Sequence, residues 1–278
     1  MSGRLSNWLA KWLSWRRVFA ALFVAAVLGF VVNVVTTDVR SSNLFGLTYG
    51  WSAFGLLLAL ACFGLRRRFL GLATRLRLGS AASWLRMHLY GGLLFCLLVL
   101  MHSGFHFPIG GLTLTVWLLS LWVVTSGLVG LLLQRWIPRA LSSGLSIEVL
   151  WERIPDLVKE LRERAAAIAE NCDETLLFLY SNKVEPALAG AERRWIYCLD
   201  ITGGLQGELG DFQYLRDAIA QDQKALLDEL ETCYRSKLEI DAHYTLQSLL
   251  RYWLIAHTPP SIALLVLVMV HIAVALVY

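Results

Sequence analysis

The sequence predicts an all-α protein: a polytopic membrane helical bundle of about five spans, with a helical insert before the last span. Two observations carry this. Of the 278 residues, 57% are hydrophobic, and they gather into five long runs rather than spreading evenly. The one long interval between runs, residues 135–254, holds 20 of the chain's 21 acids and repeats apolar residues at helical spacing. The chain therefore divides into spans 1 to 4 (1–134), an acidic insert (135–254) and a last span (255–278).

The elements follow in order. Residues 1–17 carry Arg4, Lys11, Arg16 and Arg17 among Trp8, Trp12 and Trp15, a pattern suited to an amphipathic helix lying at a membrane interface. No small-residue cleavage pattern follows the first apolar run, so Arg16-Arg17 reads as the flank of an uncleaved anchor rather than of an export signal. Span 1 is expected over 18–35 and span 2 over 44–65, joined by a link in which Asp38 and Arg40 cancel. Arg66, Arg67, Arg68, Arg75, Arg77 and Arg86 follow with no acid among them. With the basic N-terminus they place both segments on the cytoplasmic side, and they read as a topology signal rather than a nucleic-acid site. Span 3 is expected over 87–105, ended by Pro108 and Gly110-Gly111. Span 4, over 112–133, has Ser120, Ser126, Gly127 and Gly130 for close helix packing, and Gln134-Arg135-Trp136 marks its cytoplasmic end.

The insert adds 14 bases to its 20 acids, a net charge of −6. Ile147, Leu150, Trp151, Ile154, Leu157, Val158 and Leu161 predict an amphipathic helix over 146–169. An apolar patch at 176–180 and Trp195-Ile196-Tyr197 follow, and Thr202-Gly203-Gly204 is expected to break the chain. Leu215, Ile219, Leu226, Leu230, Tyr234, Leu238, Leu246, Leu250 and Trp253 then predict a long helix over 211–254. The expectation is a hairpin of long helices on the cytoplasmic face. Its acids form a solvated surface or, alternatively, a docking face for a basic partner.

Four of the six histidines form a pattern of their own. His88 and His102 lie 14 residues apart in span 3, and His257 and His271 repeat that separation at the last span. At about 100° per residue, both members of each pair fall on one helix face, roughly 21 Å apart along the axis of a ~30 Å hydrocarbon core. A histidine inside a membrane is costly, and a single one is most often hydrogen-bonded to a neighbouring helix. Two segments with the same spacing point instead to two facing pairs of neutral imidazoles, the axial ligands of two stacked b-type haems. Gly91 and Gly92, just after His88, would let a flat macrocycle or another helix approach. His106 lies close to the same face and is the alternative to His102, which the matched spacing favours. Pro259-Pro260 either starts the last helix, leaving His257 just outside it, or kinks a continuous one. Cys62, Cys96, Cys172, Cys198 and Cys233 form no Cys-x-x-Cys, which excludes a covalently attached haem of that kind and lends no support to zinc or iron–sulfur. Three of them fall on the expected reducing side, so disulfides are not expected.

The constellation resembles the ferric-reductase-like transmembrane dihaem cytochromes b. It does so through His88, His102, His257 and His271 and the flanks Met87-His88-Leu89-Tyr90-Gly91-Gly92 and Met101-His102-Ser103-Gly104-Phe105. The resemblance covers roughly half the chain, and that family usually has six spans. Its reductase members add a flavin and nicotinamide module, whereas no Gly-rich dinucleotide fingerprint occurs here. The resulting expectation is an electron-transfer subunit with two haem b, His88 facing His257 and His102 facing His271. It would lie in a bacterial cytoplasmic membrane with its C-terminus outside. Partners would be other redox subunits, such as c-type cytochromes or iron–sulfur proteins, or quinone, within the lipid bilayer and without nucleic acid. The alternatives are a quinone- or metal-reducing oxidoreductase with a substrate pocket at one haem edge, in which His106 is a candidate proton donor, and a haem-free anchor or transporter.

Overall fold

A computed structural model describes residues 15–69, 71, 80–144 and 149–277. The expected interfacial helix at the N-terminus lies almost wholly outside these residues, as do Arg75 and Arg77. Among the described residues the protein is helical throughout, with no strand. The long helices are α1 (Trp15–Thr36), α2 (Leu44–Arg68), α3 (Ala81–His102) and α4 (Gly111–Gly144). The short α5 (Ile154–Ala169), α6 (Glu174–Leu179), α7 (Glu185–Ala187), α8 (Ile201–Glu208) and α9 (Gly210–Ala218) follow, and then α10 (Lys224–Val277). Five of these helices (α1 to α4 and α10) are long and apolar enough to cross a membrane. The chain forms two compact units, residues 1–129 with 255–278 and residues 130–254.

In the first unit α3 packs along α2 and against α1. Phe19, Tyr49, Leu57, Leu60, Leu94, Phe95, Leu98, Met101 and Leu264 are buried between the helices, while Leu28 and Val35 on α1 face outward, as lipid-facing side chains do. The turn between α1 and α2 is tied by polar bonds. Thr37 Oγ1 donates to Asn33 Oδ1 at 2.7 Å, and Asn43 Nδ2 donates to the Asp38 carbonyl at 2.6 Å. The Asn43 side chain also caps α2 by accepting from the Gly46 N–H at 2.6 Å. Helix α3 stops at His102, three residues before the expected end. Gly104, at φ 62°, donates to the Met101 carbonyl, and Phe105 donates to the Leu100 carbonyl, a Schellman closure that glycine at its left-handed position permits.

Helix α10 decides the question that Pro259 and Pro260 raised, because it runs unbroken through both. A proline at 260 has no N–H for the carbonyl four residues before it, that of Ala256. The indole N–H of Trp122 on α4 takes that place, donating to the Ala256 carbonyl at 2.9 Å. His257 therefore lies inside the helix, and its own carbonyl accepts from Ser261 Oγ at 2.6 Å.

The second unit surrounds the first 31 residues of α10, 224–254, with short helices, and differs from expectation in three respects. Of the predicted helix over 146–169, residues 146–148 lie outside the described residues, and from 149 onward the helix begins at Ile154, after a 3₁₀ turn at Trp151–Arg153, with Pro155 in its first turn. Thr202-Gly203-Gly204 lies inside α8 rather than breaking the chain: the Asp200 side chain caps that helix by accepting from the Gly203 N–H at 2.9 Å, and a Cβ on Gly203 would collide with it. The pattern over 211–254 is interrupted, with Ile219 extended between α9 and α10, so one long helix with short ones around it replaces the hairpin. Nor are all the acids solvated. Asp241 is 1% exposed and accepts from Lys237 Nζ at 2.6 Å, Lys237 being itself fully buried. Glu231 accepts from Arg216 and Arg235, and Glu208 holds Arg194 and the Tyr234 hydroxyl. Burial in this cluster pushes the Tyr197 phenol up to about 12, so it stays protonated.

Candidate functional site

All four expected histidines fall in the first unit, on α3 and the last part of α10, and they meet in pairs. The His88 and His257 ring centres are 6.4 Å apart with planes at 77°. Those of His102 and His271 are 6.5 Å apart at 79°. Both pairs use the same two helices in the same order, so α3 and this part of α10 run parallel. His106 is exposed beyond the end of α3.

The environment sets the tautomers. A carbonyl can only accept, so the 2.8 Å contact between His102 Nδ1 and the Gly46 carbonyl makes Nδ1 the protonated nitrogen. The Asn43 cap fixes Gly46 in the first turn of α2, which aims that carbonyl. Ser126 works alike on His257: its hydroxyl lies 3.0 Å from the Val123 carbonyl and 2.9 Å from His257 Nδ1. With its hydrogen donated to the carbonyl, Oγ accepts from Nδ1–H. Each pair thus contains one imidazole protonated at Nδ1, whose lone pair lies on Nε2. The buried Nδ1 of His88 makes no protein hydrogen bond, and Phe63 lies 5.1 Å from that ring.

Glycines make room here, in differing ways. A Cβ on Gly50 would come within 3.0 Å of the His102 ring, close enough to displace it. Gly127 lies against His257. Gly92, one turn from His88, faces open space, whereas Gly91 packs against Leu60, Leu56 and Phe19 and so serves helix contact. A cavity of about 370 Å³ adjoins the second pair, lined by His102, His271, Trp51, Phe54, Phe95 and Trp117 among others. The 14-residue spacing singled out the histidines; the serine, the Gly46 carbonyl and Gly50 carry no mark of this role in the sequence.

The class these observations define is an all-helical protein with membrane-length helices and two facing histidine pairs. Among the described residues no three of His, Cys, Asp or Glu gather as they would around a tetrahedral zinc ion. Two imidazoles alone suit a metal whose other ligands come from a macrocycle, as in haem. Paired imidazoles of this kind, His88 with His257 and His102 with His271, would hold such a group. The residues present fit that group. No family model, curated protein or solved structure matches the chain.

Proposed function

We propose that the chain is a dihaem b-type cytochrome that carries electrons across a membrane between redox partners, as a subunit of a larger oxidoreductase assembly. The observation that carries this reading is the pair of matched histidine–histidine separations, 6.4 and 6.5 Å, on two parallel helices. His88 with His257, and His102 with His271, would hold the two haems. Bound haem supplies one-electron redox chemistry. The chain's own residues ligate and orient: Gly46 and Ser126 hold Nδ1–H, and so direct Nε2, on one member of each pair. The mostly apolar walls around His102 and His271 would keep the local dielectric low. Each haem would be held by two histidines of the chain, which favours electron transfer over substrate chemistry at the metal. The basic segments before α1 and after α2 support an orientation with the insert in the cytoplasm and the C-terminus outside.

The test joins stoichiometry to pairing. Purified protein is expected to carry two non-covalent haems b per chain by pyridine haemochrome assay, with low-spin spectra. Replacing His88 or His257 by alanine should remove one spectral component in a redox titration, and replacing His102 or His271 the other. His106→Ala should spare both. Fewer than two haems, or loss of the same component from His88→Ala and His102→Ala, would refute the reading. Reporters fused near Gly204 and at the C-terminus check the orientation and should report opposite sides.

A further inference from the structure

One side chain of α1 stands apart from the rest of its run. From Val18 to Val35 every residue but Asn33 is apolar or glycine, and Asn33 is 1% exposed while its neighbours Val32 and Val34 face outward. Burying an amide costs free energy unless it is hydrogen-bonded, and polar residues are rare in membrane-length helices unless function retains them. Asn33 Oδ1 accepts from Thr37 Oγ1 at 2.7 Å and from Asn43 Nδ2 at 3.3 Å, and its carbonyl accepts from the Thr37 N–H at 2.9 Å. It thereby holds both ends of the turn between α1 and α2.

That turn bears on a histidine. Asn43 caps Gly46, and the Gly46 carbonyl accepts from His102 Nδ1–H, so three hydrogen bonds in series join the Asn33 amide to the imidazole. The turn also meets Gly46 through its backbone: a Cβ there would collide with the carbonyl oxygens of Arg40 and Ser41. Side chain and backbone alike therefore pass a displacement of the turn to the first turn of α2. We propose that Asn33 is a positioning residue for His102, fixing the turn so that the Gly46 carbonyl holds Nδ1–H and the lone pair stays on Nε2. The proposal concerns the orientation of the ring and stands without haem. Under the proposed function it makes Asn33 a determinant of the potential at that pair.

The test uses the full chain in lipid bilayers, labelled with nitrogen-15 histidine and reduced, so that any bound low-spin haem is diamagnetic. By solid-state NMR the His102 Nδ1–H signal, identified by its loss in His102→Gln, should shift toward that of an unbonded imidazole in Asn33→Leu. Asn43→Ser keeps a capping hydroxyl but lacks the amide that reaches Asn33; it should shift the signal the same way, and it decides the matter if Asn33→Leu does not fold. Arg40→Gln breaks only the exposed Arg40–Asp38 pair of the same turn and should leave the signal in place. The His257 signal, whose proton Ser126 of α4 holds instead, should not move in any of them. An unmoved His102 signal in either folded variant overturns the proposal. So does an equal shift of the His102 and His257 signals, which would show general loosening. Where haem is bound, both variants should raise the midpoint of the component lost in His102→Ala and spare the other. A chain without haem refutes the proposed function and leaves the NMR signal to decide on Asn33.

Discussion

Ser126→Ala isolates the orientation of one ligand from its presence. The hydroxyl accepts from His257 Nδ1–H at 2.9 Å while donating to the Val123 carbonyl. Its removal leaves the imidazole in place but takes away a neutral hydrogen bond worth about 0.5–1.5 kcal/mol. A proton held by an acceptor makes the opposite nitrogen a better donor to the metal, and a better donor favours the ferric state. If the proposed function holds, the haem that His257 would hold should therefore rise in potential, by at most roughly 60 mV if the whole bond differs between oxidation states. The assay is an optical redox titration resolving the two haem components. Ser120→Ala is the control: Ser120 is 2% exposed, bonds the Val116 carbonyl at 2.8 Å and lines the cavity at the other pair. It should move neither midpoint. A shift confined to the component lost in His102→Ala, or an equal shift of both, would refute the assignment of Ser126 to His257.

Two further expectations concern packing. Lys237→Met strands the Asp241 carboxylate, 1% exposed, without its counter-charge and should cost about 3–5 kcal/mol, read as a lowered thermal midpoint of the full chain. Burial holds the Asp241 carboxyl above its usual value although Lys237 pulls it down. The folded chain therefore keeps that proton more tightly than the unfolded one, and stability falls as pH rises from about 4 toward the raised folded value. Without Lys237 the folded value climbs further, so the penalty should shrink as pH falls; a penalty that does not change with pH would exclude Asp241 as its source. Trp122→Phe removes the donor that replaces the missing N–H of Pro260 and should cost about 1–3 kcal/mol. An unchanged thermal midpoint would mean that another donor reaches the Ala256 carbonyl.

What the sequence determined by itself is what local composition and helical period encode. Five apolar runs, the concentration of acids in one interval and the 14-residue repeat of His88–His102 and His257–His271 are one-dimensional facts, and the helix converts spacing directly into face and height. Tertiary structure alone decided what depends on partners far along the chain. Which histidines meet is set by the register of α3 against α10, and the short end of α3 at Gly104 leaves His106 outside. The protonated nitrogen is set on His102 by a carbonyl 56 residues away and on His257 by a serine 131 residues away. Pro259-Pro260 reads as a helix boundary in sequence because prolines lack a donor, yet α10 runs through both, and at Pro260 Trp122 supplies a substitute. Gly203-Gly204 reads as a break for a similar reason, until the Asp200 cap gives that turn its start. In the insert, the periodic apolar residues located the helices, but a charge count cannot separate a solvated carboxylate from Asp241, whose burial required Lys237 one turn away and the Glu192 N–H from another segment.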